Sequence, residues 1–142
     1  GSGSTLALVV LLLVLGKKGS AERSIGKVSI IPGLFGINEP VTFGLPIVLN
    51  PIMFIPFVFV PVINAIIGYF ATSWGLVNHL VVLNSGVEPI FVNAWVLGAF
   101  TLSPVILCIV LFILDLVLYY PFVKLQIKQN TLEAQNEGAA VE

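Results

Sequence analysis

The sequence predicts an all-α integral membrane protein, built of transmembrane helices with one or two re-entrant hairpins. Three observations carry that prediction. Of the 142 residues 58% are hydrophobic and 9% charged, with a mean hydropathy of +1.09, whereas soluble globular domains are about 25% charged. Two predominantly apolar runs, 51–70 and 103–121, reach the ~20 residues that a spanning helix needs. A third apolar stretch, "IPGLFGINEPVTFGLPIVLNP" at 31–51, is instead broken by glycines and prolines around one acid, Glu39. Backbone interrupted in this way is tolerated at membrane depth only when it is buried in protein or lines a polar cavity.

Each element follows in order. "TLALVVLLLVLG" at 5–16 is apolar but short of a span, and its basic residues follow the run, whereas a signal peptide has them in front. It reads as a truncated transmembrane helix, 5–15, the rear half of a longer one with earlier sequence upstream. Lys17, Lys18, Arg23 and Lys27 fall in the loop 17–27, and Lys124 and Lys128 follow the last apolar run. The positive-inside rule puts both flanks in the cytoplasm. An even number of crossings must then lie between them: helices 51–70 and 103–121, with 28–50 entering and leaving on one side as a re-entrant hairpin. A weaker second hairpin signal sits at 87–100, where Glu88-Pro89 repeats Glu39-Pro40. Paired broken segments of this kind point to a transporter's binding site. Pro56 and Pro61 predict kinks in 51–70. Residues 125–142 read as a polar tail that prolongs the last helix by a turn or two.

Charge and cysteine content exclude other classes. Net charge is −1 and no basic cluster interrupts 28–123, so the chain lacks the Lys and Arg that nucleic acid requires. The single cysteine, Cys108, lies in an apolar helix, reads as a packed or lipid-facing residue, and builds neither a disulfide framework nor a metal site. No cofactor is expected.

Between Lys27 and Lys124 the charged residues are Glu39, Glu88 and Asp115. An intramembrane carboxylate costs about 3 kcal/mol or more and generally faces a cavity or a partner. Glu39 has two readings: a neutral cap on the broken helix, or a carboxylate that meets a polar substrate beside Asn38. Glu88 reads equally as an interfacial acid or a substrate contact. Asp115 suits helix–helix hydrogen bonding, and His79 an external loop. Trp95 offers either interfacial packing or a stacking face.

The stretch "SIIPGLFGINEPVTFGLPIVLNPIMFIPF" resembles the sugar-transporting IIC subunit of the bacterial phosphotransferase system, of the lactose/cellobiose/diacetylchitobiose type. The matching features are Asn38-Glu39-Pro40, Phe43-Gly44-Leu45-Pro46 and Asn50-Pro51, joined by "LDLVLYYPFVK" at 114–124. The resemblance covers nearly the whole chain but only the last third of a family member. Residues 1–124 are then the C-terminal portion of the membrane domain, and 125–142 its cytoplasmic tail. It implies a multi-pass permease of the bacterial cell membrane, homodimeric at full length. Such a permease takes up a disaccharide while phosphorylated IIB, charged through IIA, HPr and enzyme I, phosphorylates the sugar's 6-hydroxyl. It also implies that Glu39 is the catalytic base and that Asn38 helps to orient the sugar, while Glu88 and Trp95 stand as candidate sugar contacts on their own residue chemistry. The sequence departs from the family at 85–98, where "SGVEPIF" replaces a Trp-Thr-Thr-Pro-Pro run. Two alternatives stand beside this reading: an inactive truncated membrane fragment, and an unrelated transporter with Glu39 as its proton or ion site.

Overall fold

A computed structural model describes residues 2–79 and 88–139 of the chain. Among the described residues there are six α-helices and no strand: α1 Thr5–Leu15, α2 Ala21–Leu34, α3 Glu39–Gly44, α4 Pro51–Ser73, α5 Ile90–Leu97 and α6 Ser103–Ala139. Short 3-10 turns cover Ser2–Ser4 and Ile47–Leu49.

The helix α1 is apolar on every side, and such a helix must be buried. Leu8 and Leu12 are accordingly 0% exposed. It ends at Gly16, whose N–H donates to the Leu12 carbonyl at 3.0 Å. After a turn Ser20 caps α2, its hydroxyl accepting from the Arg23 N–H at 3.3 Å. The helix therefore starts inside the stretch expected to be a cytoplasmic loop at 17–27. A capping serine and the packing of α2 on α1 set that start, and Arg23 and Lys27, both good helix formers, are compatible with it. The contact uses small residues, as membrane helix pairs do. A Cβ on Gly26 would sit 3.0 Å from Leu13 Cγ and 3.3 Å from Leu12 Cβ.

Past Leu34 the chain reverses at Gly36, whose φ of 76° lies in the region that glycine enters at little cost. Then α3 begins, with Pro40 in its first turn, where proline's missing N–H costs nothing. The limb returns through the 47–49 turn to Asn50, the cap of α4. The Asn50 Oδ1 accepts from the N–H groups of Ile52 and Met53 at 3.0 and 3.3 Å, and Pro51 fills the first helical position. The helix α4 continues through both Pro56 and Pro61.

Both feet of the 21–50 segment rest on the same part of α6. Asn130 Nδ2 donates to Glu22 Oε1 at 2.7 Å, and Asn50 Nδ2 donates to Gln126 Oε1 at 2.7 Å. Going out and coming back to one end is the geometry of a hairpin. The helix α6 runs to Ala139, well beyond the expected extension of a turn or two; these contacts hold its first polar turns, and Gln129 Nε2 donating to Glu133 Oε1 at 2.9 Å supports the next. Gln126 and Asn130 are tied to upstream elements, so this part of the polar segment stays helical. The core lies between α1, the return limb, α4 and α6, around Val41, Ile47, Met53, Tyr119 and Val123. The outer faces of α4 (Ile55, Val58, Phe59, Val62, Ile66) and of α6 (Ile106, Val110, Ile113, Val117) are apolar and exposed, as a lipid-facing surface requires. At about 1.5 Å per residue, both helices are long enough to cross a bilayer.

In the 87–100 region the described part is one short helix, α5. It packs on α6 with Phe91 edge-on to Phe112 at 6.2 Å. Residues 80–87, which include the first three of the "SGVEPIF" stretch at 85–91, lie outside the described residues.

Candidate functional site

The apices of these elements leave a cavity of about 630 Å³. The start of α1, the end of α2, α4, α5 and the upper part of α6 enclose it. Its walls are mainly apolar, from Ile90, Phe91, Leu97, Leu107 and Phe112, with Ser4, Asn64, Thr72, Glu88, Asn93 and Asp115 as polar points. The α4 contribution follows from helical period: Asn64, Gly68 and Thr72 stand four apart and share one face. On α6, Cys108, Leu111, Phe112 and Asp115 repeat at three and four.

At the inner edge Asn64 Nδ2 donates to Asp115 Oδ1 at 2.8 Å and to Ser4 Oγ at 3.0 Å. One amide thus joins α4, α6 and the turn before α1, and Asp115 forms the helix–helix hydrogen bond expected of it. Below it the Tyr119 hydroxyl donates to the Gly3 carbonyl. Charge alone singled out Asp115, so Asn64 escaped sequence reasoning. Its signal was a polar side chain at mid-span, in register with Gly68 and Thr72.

The expected site residues are not gathered in one place. Glu88 lines the cavity. Asn38 and Glu39 stand at the start of α3, two and three residues beyond Gly36, which also lines it. Asn38 is the N-cap residue, and Glu39 is exposed in the first turn. Trp95 does not line the cavity. Its Nε1–H donates to the Phe100 carbonyl at 2.9 Å, and the two rings meet edge-on at 5.0 Å. This contact fastens a turn in which Ala99 and Phe100 have φ of 52° and 62°. Cys108 is half-buried on the wall, and His79 is exposed past the end of α4.

Comparisons with known proteins agree with this architecture. Residues 1–61 match the family model described as "Phosphotransferase system, EIIC". The chain is 41% identical over 133 residues to the cellobiose-specific EIIC component of Lactococcus lactis subsp. lactis, covering 94% of this chain and 26% of that protein. It is 35% identical over 129 residues to the lactose-specific EIICB component of Staphylococcus haemolyticus, covering 91% and 22%. Among solved structures it is similar to the transporter ChbC, the IIC component of the N,N'-diacetylchitobiose-specific phosphotransferase system. That match has a TM-score of 0.89 and 45% identity, over 95% of this chain and 31% of the other. The chain therefore spans about a quarter of the length of the curated relatives it matches. With helices, cavity and hairpin laid out as above, the chain is similar, over the stretch it covers, to EIIC components of the phosphotransferase system.

Proposed function

We propose that the chain is the sugar-handling part of a disaccharide permease that phosphorylates its cargo during uptake. The observation that carries this reading is the hairpin apex at the cavity mouth. Gly36 lines a cavity of about 630 Å³, within the roughly 300–1,000 Å³ of small-molecule sites, and the Asn38-Glu39 pair follows it directly. The names of the relatives, cellobiose-, lactose- and N,N'-diacetylchitobiose-specific, support a disaccharide as substrate.

In the proposed step the sugar's 6-hydroxyl oxygen attacks the phosphorus of a phosphocysteine on a cytoplasmic IIB partner. The P–S bond breaks, the thiolate stays on IIB, and the hydroxyl proton passes to the Glu39 carboxylate as general base. Phosphoryl transfer is chiefly positioning and charge management, which Asn38 and Glu88 supply through hydrogen bonds to the sugar. IIA, HPr and enzyme I recharge IIB. The full-length protein is a homodimer in the bacterial cell membrane. The loop 17–27 and the tail 125–142 face the cytoplasm, and 28–50 is re-entrant from that side.

Glu39→Gln in the full-length protein tests the base. Sugar binding is expected to survive, and phosphorylation by phospho-IIB to fall about 100-fold or more. Undiminished phosphorylation in vesicles would remove Glu39 from the reaction.

A further inference from the structure

A second polar cluster, at the end of the molecule away from the cavity, is not accounted for by sugar chemistry. Four side chains form one chain of donors. Asn50 Nδ2 donates to Gln126 Oε1 at 2.7 Å, Gln126 Nε2 to Asn130 Oδ1 at 3.0 Å, and Asn130 Nδ2 to Glu22 Oε1 at 2.7 Å. Every amide uses its oxygen as acceptor and its nitrogen as donor, and the series ends on a carboxylate. Hydrogen bonds aligned in one direction strengthen one another, and a charged acceptor at the terminus strengthens the last. Glu22 is 5% and Gln126 7% exposed, so water competes little for either.

The cluster sits at the foot of a return limb that packing holds on one face only, through Val41, Leu45 and Ile47 in the core. The outgoing helix α2 packs along α1, but α3 packs chiefly on α2 and on the 47–49 turn. Phe43, Val48 and Leu49 of the return limb are 78%, 64% and 85% exposed. The position of Glu39 therefore depends on that apolar packing together with the anchor at the far end of the limb, and the polar anchor there is Asn50. The same Asn50 caps α4 through its Oδ1, so limb, span and final helix meet in one side chain.

We propose that Gln126 and Asn130 are positioning residues, which hold the hairpin feet so that the Asn38-Glu39 apex is presented at a fixed height over the cavity. The proposal rests on Glu39 being the base.

The test uses the full-length protein in a Cys108→Ser background without other cysteines, carrying spin labels at Ile37→Cys and Lys128→Cys. Three variants are compared. Gln126→Leu removes the central relay. Asn130→Ser is a milder cut, for use if the first fails to fold. Glu22→Gln keeps the Oε1 acceptor. The label-to-label distance distribution and the kcat and KM of sugar phosphorylation are measured on each. Gln126→Leu and Asn130→Ser should broaden the distribution and lower kcat about 10-fold, with KM changed less than about threefold, the signature of lost transition-state alignment. Glu22→Gln should keep a narrow distribution and kcat within about threefold of the parent. A distribution unchanged by both Gln126→Leu and Asn130→Ser overturns the positioning role. A broadened distribution with unchanged phosphorylation overturns the assignment of Glu39 as base and leaves the anchor standing.

Discussion

Ala99 and Phe100 occupy left-handed backbone side by side, a conformation that costs non-glycine residues of order 1–3 kcal/mol each. The Trp95 indole, bonded to the Phe100 carbonyl and edge-on to its ring, offsets that strain. Trp95→Phe, which keeps a ring but loses the N–H, should lower stability by about 1 kcal/mol. Ala99→Val, branched where the backbone disfavours a Cβ, should cost about 1–3 kcal/mol. Ala99→Gly should be neutral or mildly stabilising. Thermal unfolding in detergent reads all three. The sugar contact proposed for Trp95 is separable by binding. Trp95→Ala weakening disaccharide affinity about 10-fold among folded molecules supports a stacking role, whereas normal affinity with depressed folded yield ends it.

Between elements, the α1–α2 contact and the α4–α6 tie respond to different changes. Gly26→Ala places a Cβ against Leu12 and Leu13 and should cost about 1–3 kcal/mol by overpacking. Asp115→Leu alone takes one of two acceptors from the Asn64 amide nitrogen, leaving Ser4 Oγ, and should cost about 1–3 kcal/mol. The double change Asp115→Leu with Asn64→Leu should recover most of it, because replacing both partners removes the unsatisfied group. A double-mutant cycle on folded yield and melting temperature checks this; a strictly additive result would deny the coupling. These elements were unequally legible in the sequence. Apolar length announced α4 and the upper part of α6, and the Gly-Pro punctuation around Glu39 announced the break between α2 and α3. The start of α2 at Ala21 and the reach of α6 to Ala139 were missed. The start of α2 had a local trace in its capping Ser20, but the ties of Glu22 to Asn130 and of Gln126 to Asn50 join partners far apart in the chain, and local composition carries no trace of them. Glu88 on the cavity wall was visible as an unusual acid. Asn64 was overlooked because it is uncharged.

For the molecule as a whole, the anchoring of both hairpin feet on α6 supports a topology in which Lys17 and Lys128 share one face of the membrane. Cysteines at these positions in a Cys108→Ser background should resist an impermeant thiol reagent in intact cells and react in inverted vesicles; labelling of both from outside would overturn it. The same end of the molecule carries a pH dependence. Burial opposes the charge on Glu22, but hydrogen bonds from Asn130, its own backbone N–H and Ser20 outweigh burial and hold the carboxyl below its usual value. The stability it contributes is complete above the ordinary carboxylate range and is lost as pH falls through the lowered native value. Glu22→Gln should flatten that acid limb in melting temperature against pH. The distance along the chain between these partners also sets a clock for biosynthesis. Asn50 meets Gln126 across 76 residues, and Glu22 meets Asn130 across 108. At about 5–20 residues per second of translation, Glu22 waits about 5–20 s after leaving the ribosome's catalytic centre before its partner has been made. Throughout that interval α2 has its packing on α1, but the hairpin's polar feet, Glu22 and Asn50, stand without the α6 partners that fasten them once the last helix is made.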